Sequence, residues 1–256
     1  MKKTPLSVLG AAALAAVLML AAHSARAAEE APKAQAWSFN GVFGAYDRAQ
    51  LRRGWQVYKE VCASCHSVHQ LSYRNLVDIG FSESQTKEIA AADEVAGDLD
   101  DSGEPTVRPG QPSDKVKAPF ANDKQARAAN NGALPPDLSL MTKARKGGAD
   151  YVFALITGYR EPPTGFQMQD GMNFNEYFAG NQIAMPPPIA DGQVSYEDGT
   201  TNSVDQMARD VTAFLSWSAE PELEDRKRLG IKVLAFLLVL TALLYAVKRR
   251  VWADVH

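Results

Sequence analysis

Cysteine is scarce in this chain: there are two in 256 residues, Cys62 and Cys65. A scaffold stapled by many disulfides is thereby excluded, and a bridge between residues three apart would be strained while closing a trivially small loop. Histidine is nearly as rare, with only His23, His66, His69 and His256. Two thiols at this spacing could form half of a zinc site, but no further cysteines or well-placed histidines complete a tetrahedron. No βαβ pattern surrounds the pair, which argues against a thioredoxin-like redox dithiol. An excess of positive charge is lacking as well, since the formal net charge is −3, and nucleic acid is excluded as a partner by sign. There is no internal repeat and no phosphate-binding glycine loop; Gly147-Gly148 reads only as a helix start.

What remains at the cysteine pair is Cys62-Ala63-Ser64-Cys65-His66. Two thiols at this spacing add to the two vinyl groups of one haem, and the adjacent histidine ligates its iron from the same turn. The pattern is that of a c-type haem attachment site and predicts one covalently bound haem c.

The two ends of the chain carry sorting signals. Lys2 and Lys3 precede an apolar stretch from Leu6 to Ala22, and Ala25-Arg26-Ala27 follows. This order describes a secretory signal peptide over residues 1–27, cleaved after Ala27. Near the other end, Leu229 to Val247 is apolar except for Lys232 and Thr241, and Arg226-Lys227-Arg228 and Lys248-Arg249-Arg250 bracket it. That length spans a bilayer if Lys232 snorkels. The expected organisation is an exported haem domain over 28–225, an anchor with basic flanks over 226–250 and a cytoplasmic tail over 251–256. The basic cluster after the span agrees with a cytoplasmic C-terminus. The setting implied is a bacterial inner membrane, crossed once, with the haem domain on the periplasmic side.

Sorted by compartment, charge becomes asymmetric. Residues 28–225 hold 17 basic and 29 acidic side chains, a net of −12. Such acidity on an exported electron carrier predicts a basic partner steered by the summed field. The densest run is Glu88, Asp93, Glu94, Asp98, Asp100, Asp101 and Glu104.

Periodicity predicts a mainly α fold: a c-type cytochrome domain with long irregular loops plus one C-terminal transmembrane helix. Leu51, Trp55, Val57, Tyr58 and Val61 recur near helical spacing after a capping Asp47, which places the haem motif at a helix C-terminus. Short helices are expected at 73–79, at 82–92 with Ser82 as cap, and at 150–159. A longer one is expected at 203–218, running almost directly into the anchor. Residues 28–36 read as a disordered lead-in. Residues 97–122 and 161–188 read as irregular excursions rich in Pro, Gly and polar residues.

Electron-transfer haem usually has two protein ligands. His69 lies on the same side as His66, and the other histidines fall in the leader and beyond the span, so methionine must supply the second donor. The candidates are Met141, Met168, Met172, Met185 and Met207. Met207 falls on an amphipathic helix and reads as core. Met185 opens Met185-Pro186-Pro187-Pro188, a stiff segment that presents a thioether at small entropic cost. Rigidity ranks Met185 first, with Met168 and Met172 as alternatives.

Longer blocks carry a family resemblance. These are Arg52-Arg53-Gly54 through His66, Asn130-Asn131-Gly132-Ala133-Leu134-Pro135-Pro136-Asp137-Leu138-Ser139, Gly158-Tyr159-Arg160-Glu161-Pro162-Pro163-Thr164-Gly165, Ala184-Met185-Pro186-Pro187-Pro188, and Ala219-Glu220-Pro221 before the anchor. In this order they resemble the cytochrome c1 family, the haem subunits of quinol–cytochrome c reductase (cytochrome bc1) complexes. The resemblance implies thioethers at Cys62 and Cys65, axial iron ligands at His66 and Met185, and haem-pocket positions at Asn131 and Pro136. It also implies that the Pro135-Pro136 segment packs on the proximal side and orients the His66 ring through a carbonyl. Implied partners are cytochrome b, a Rieske iron–sulfur protein as electron donor and a basic cytochrome c as acceptor, in a dimeric complex.

Two departures from relatives stand out. This chain has no spare cysteine pair to staple its distal loop, so packing and prolines must hold it. Gln167-Met168-Gln169-Asp170 stands where relatives can place an arginine near a haem propionate, leaving Arg127, Arg145 and Arg160 as candidates for that role. The function expected is an electron-transfer subunit, with no bond chemistry of its own, that serves an oxidoreductase complex. The competing reading is a stand-alone membrane-anchored cytochrome c feeding a terminal oxidase.

Overall fold

A computed structural model describes residues 31–254. The signal peptide expected over 1–27 lies outside the described residues. The first helix, α1 (Arg48–Glu60), starts where the sequence places it, with the Asp47 carboxylate accepting from the amides of Ala49 and Gln50. Such a cap satisfies donors that the first turn cannot pair internally. Helix α1 buries Leu51, Gly54, Trp55, Val57 and Tyr58 and ends directly before a 3₁₀ turn, Cys62–Ser64.

A second 3₁₀ segment, Tyr73–Ile79, is followed by α2 (Glu83–Ala91), capped by Ser82 in a reciprocal pair with Gln85. The chain then departs from expectation. Overlapping the start of the excursion read as irregular, β1 (Glu94–Leu99) and β2 (Pro105–Pro109) form an antiparallel hairpin with a register shift between Ala96 and Leu99. Two short helices follow that periodicity did not predict, α3 (Asp123–Ala129) and α4 (Met141–Ala144).

Helix α5 (Gly148–Thr157) leads into the long loop. There, two-residue strands β3 (Asn173–Phe174) and β4 (Gln182–Ile183) pair antiparallel around the turn Ala179–Asn181. Helix α6 (Val204–Ala219), capped by Ser203, is followed by α7 (Leu223–Val251). At about 1.5 Å per residue the 29 residues of α7 reach about 44 Å, enough to cross a bilayer. From Leu229 onward its apolar side chains are exposed. The fold is thus mainly helical, with irregular loops and one C-terminal transmembrane helix.

The core lies where α1 crosses α6. A Cβ on Gly54 would stand 2.1 Å from the Asp210 carbonyl oxygen and 2.7 Å from Phe214 Cβ, so only glycine permits this approach. Around the crossing, the Phe214 ring lies 5.7 Å from both Trp55 and Tyr58 and 5.8 Å from Trp217. Full burial of each such ring contributes about 1.5–3 kcal/mol. Asp210, fully buried on α6, accepts from Arg53 Nε at 2.9 Å and Gln206 Nε2 at 2.9 Å. The crossing is therefore locked by an ion pair as well as by rings.

Residues 31–36 correct the lead-in reading. The Asp150 carboxylate accepts from the Gln35 amide at 3.0 Å and the Trp37 indole at 2.7 Å, and Arg209 donates to the Gln35 side chain at 2.8 Å. Gln35, near the end of that segment, is thus held on α5 and α6 by polar contacts, which hydrophobic periodicity does not register.

Candidate functional site

The Cys62–His66 turn is an extension of α1. The amides of Cys65 and His66 both donate to the Cys62 carbonyl, at 3.1 and 2.8 Å, so both thiols and the imidazole issue from one closed turn. Behind it, the buried Tyr58 donates its hydroxyl to the His66 carbonyl at 3.1 Å, tying the turn to the helix crossing. Neither cysteine is in a disulfide. Burial, with the neighbouring Cys65 adding to it, pushes the Cys62 thiol up to about 12. Among the described residues, no group of three or more His, Cys, Asp and Glu is gathered to hold a metal ion.

His66 is oriented by a partner 70 residues away: its Nδ1 lies 2.7 Å from the Pro136 carbonyl oxygen. A carbonyl only accepts, so Nδ1 carries the proton and Nε2 keeps its lone pair. Burial lowers the imidazole pKa below its ordinary value, outweighing the opposing effects of the Pro136 carbonyl and Asp137. The ring is therefore a neutral, directed nitrogen donor, with the outer partner that metal-ligating histidines usually have.

Pro136 belongs to a strip laced along the motif. Leu138 N donates to Ser67 O at 2.8 Å. The Asp137 carboxylate accepts from Ser67 Oγ at 2.8 Å and from His69 N at 2.7 Å. Gln70 N donates to the buried Ser139 hydroxyl at 3.0 Å, and Ser218 on α6 donates to the Ser139 carbonyl at 3.2 Å. Burial alone would raise the Asp137 pKa, but the donors from His69, Ser139 and Ser67 outweigh it and hold the carboxyl below its usual value. Asn131 takes no part in this strip. It sits in the exposed turn after α3 in the left-handed region, φ 50°.

Met185 is held on a different bank. Its carbonyl accepts from Tyr159 Oη at 3.1 Å and Asn173 Nδ2 at 3.4 Å. Asn175, fully buried, donates to Leu155 O on α5 at 2.8 Å and accepts from Tyr177 N at 3.0 Å. Asn181, at φ 57°, returns two bonds to the Asn175 and Glu176 carbonyls, and Phe166 meets Phe174 edge-on at 5.0 Å. Among the described residues, no hydrogen bond joins this bank to the Cys62–His66 turn.

The other methionines separate by burial. Met207 is fully buried in α6, Met141 packs on the core and Met172 is 36% exposed. The three candidate arginines all donate to nearby carbonyls: Arg127 to Gly132, Arg145 to Ala144, and Arg160 to Thr157 and Tyr159.

A family model described as the Cytochrome C1 family matches residues 37–255. The chain belongs to the cytochrome c1 family. It is 48% identical over 263 residues to "Cytochrome c1" of Rhodospirillum rubrum, covering 95% of this chain and 97% of that protein. It is 49% identical over 223 residues to "Cytochrome c1, heme protein, mitochondrial" of Saccharomyces cerevisiae, covering 87% and 72% of the two chains. It is 48% identical over 225 residues to "Cytochrome b-c1 complex catalytic subunit, mitochondrial" of Candida albicans, covering 88% and 78%.

For this cytochrome c1 family member, sequence reasoning overlooked Asp137, Ser139, Asn173 and Asn175. The signal for the first two was present in Pro-Pro-Asp-Leu-Ser, since Asp and Ser after a proline pair commonly bind local backbone donors. Asn175 carried no local signal for its longer-range role: its partner Leu155 lies on α5, 20 residues back, and only the bond from Tyr177 N is local.

Proposed function

We propose that the chain is a membrane-anchored electron carrier holding one haem c through thioethers at Cys62 and Cys65, with His66 and Met185 as axial donors. The observation that carries the reading is the His66–Pro136 hydrogen bond, because it leaves Nε2 as a fixed, unprotonated donor beside two cysteines on the same turn. A haem bound there supplies reversible one-electron exchange at iron. The chain's own part is to hold and orient. Tyr58 and the 136–139 strip fix the proximal turn, and Tyr159 and Asn173 fix the backbone of Met185.

By likeness to the Candida albicans protein, whose name assigns it to a cytochrome b-c1 complex, the chain serves as the haem subunit of a quinol–cytochrome c reductase. It takes electrons from a Rieske iron–sulfur protein and delivers them to a cytochrome c, with cytochrome b beside α7, in a dimeric complex. Residues 28–225 form the periplasmic domain, 226–250 the anchor in the bacterial inner membrane and 251–256 the cytoplasmic tail, after removal of a 1–27 signal peptide. The outer domain's net charge of −12 favours a basic cytochrome c as acceptor. Asp98, Asp100, Asp101 and Glu104 are exposed on the β1–β2 hairpin and its turn, a surface on which such a partner can dock.

The test is purification from the membrane with a reduced-minus-oxidised spectrum and subunit analysis. A c-type band accompanied by a b-type cytochrome and an iron–sulfur protein is expected; a c-type band alone would favour the stand-alone carrier. Met185→Leu should keep the haem attached, lower the midpoint potential substantially and admit carbon monoxide to the reduced iron. An unchanged potential would move the axial role to Met168 or Met172.

A further inference from the structure

Residues 39–54 run beside the junction of α6 and α7, and their partners step from α6 onto α7 as the chain is followed backwards. Gly54 packs on Asp210 and Phe214. Tyr46 donates its hydroxyl to the carbonyls of Ser216 at 3.0 Å and Glu220 at 3.3 Å, and its amide to Glu224 Oε1 at 2.9 Å. Next, Lys227 Nζ donates to the carbonyls of Phe39 at 2.7 Å and Gly44 at 3.0 Å. Those two carbonyls flank the loop Asn40–Phe43, so Lys227 clasps the base of that loop at the second turn of α7.

Two residues beyond Lys227, Leu229 opens the exposed apolar flank of α7. The tip is apolar and bare, with Val42 63% and Phe43 87% exposed. Its stems are not free to fold inward: Phe39 and Tyr46 are buried with ring centroids 5.1 Å apart, and Gly41 turns the chain at φ 73°. Arg226 and Arg228, beside Lys227, are exposed.

We propose that Val42 and Phe43 insert into the boundary between lipid headgroups and acyl chains beside α7, giving the outer domain a second point of contact with the membrane. Side chains that bind at this level are buried about 5–10 Å below the headgroup surface. The loop base is clasped at Lys227, two residues before the exposed apolar flank of α7 begins at Leu229. A single helix leaves a domain free to pivot; a second contact removes that freedom and sets the height and tilt of the haem turn above the bilayer. The inference rests on α7 spanning the membrane.

A nitroxide on Phe43→Cys reports the depth directly, in the haem-loaded full chain in vesicles of phosphatidylcholine and phosphatidylglycerol. Labels on Ser102→Cys, at the hairpin turn, and Leu237→Cys, within α7, serve as references for water and bilayer interior. The ratio of oxygen to nickel-chelate accessibility at position 43 should stand severalfold above that at 102 and below that at 237. A ratio equal to that at 102 overturns the proposal. A label shielded from both reagents also overturns it, since protein rather than lipid would then cover the loop. A water-like reading at 237 would mean instead that α7 does not span, so the two failures are distinct.

Discussion

The two banks that carry the proposed iron ligands are built differently. The proximal bank is a helix end: Cys62–His66 extends α1, and α1 is locked on α6 by buried rings and the Arg53–Asp210 pair. The bank around Met185 has only two-residue strands, and it is held mainly by hydrogen bonds, from side-chain amides, one tyrosine hydroxyl and the Glu176 backbone, with a single ring pair, Phe166–Phe174. Burial of apolar surface is large and cooperative, whereas each hydrogen bond contributes about 0.5–1.5 kcal/mol net. The contrast teaches that the Cys62–His66 turn should be as stable as the domain, while the Met185 side should open locally well before the domain unfolds.

The most severe way to break the contrast is Phe214→Ala, which removes the ring shared by Trp55, Tyr58 and Trp217. A cost of about 3–5 kcal/mol is expected, seen as a lower denaturant midpoint for the whole domain together with disturbed haem attachment. A loss confined to the Met185 side would contradict the assignment of the crossing as the common core. Asn175→Ala comes next. It leaves the Leu155 carbonyl and the Tyr177 amide without their partner, at about 1–3 kcal/mol. Its signature should be carbon monoxide binding to the reduced protein with an attachment turn as protected from hydrogen exchange as before.

Tyr159→Phe removes one bond to the Met185 carbonyl and should cost about 0.5–1.5 kcal/mol. It should raise carbon monoxide access less than Asn175→Ala does; the reverse order would mean that Tyr159, not the asparagine cluster, is the main tether.

A pH experiment sharpens the proximal side. Burial raises the Asp93 pKa, but hydrogen bonds from Lys59 Nζ and Tyr73 Oη, each 2.5 Å, more than offset it and hold the carboxyl below its ordinary 3.8. A depressed folded pKa means that this contribution is fully present above the unfolded-chain value and is lost as pH falls through the folded one. The denaturant midpoint of the native chain should therefore decline on acidification below about pH 4, and Asp93→Asn should flatten that decline. An unaltered acid limb would place the acid sensitivity elsewhere. The smallest effect is expected at the hairpin: neutralising Asp98, Asp100 and Asp101 should weaken the ionic-strength dependence of electron delivery while leaving stability within about 0.5 kcal/mol. An unchanged salt slope would make the hairpin a solvated feature only.

Legibility in the sequence followed the same division. Helices α1, α2, α5 and α6 could be read because apolar periodicity and capping residues act within a few positions. The β1–β2 hairpin could not. Its strands are acidic, glycine-containing or bounded by proline, poor in intrinsic strand preference, and they exist through pairing with each other. Helix α3 buries only Ala126 and so carries no periodic signal. The loop at 161–188 read as irregular, yet the asparagines that hold it could not be singled out, because a buried amide in a loop looks like any other polar residue until its distant partner is known.

By itself, the sequence determined the chemistry that is local: two thiols and an imidazole within one turn, and an apolar run long enough to cross a bilayer. Tertiary structure decided what depends on distance along the chain. It brought the Pro136 carbonyl 70 residues back to His66 and so selected the imidazole tautomer. It hung Met185 from Tyr159 and Asn173, and it clasped the Val42–Phe43 loop to Lys227 where α7 becomes apolar. Covalent spacing limits what neighbours can do, but hydrogen bonds between remote segments form only once a core has brought their backbones together.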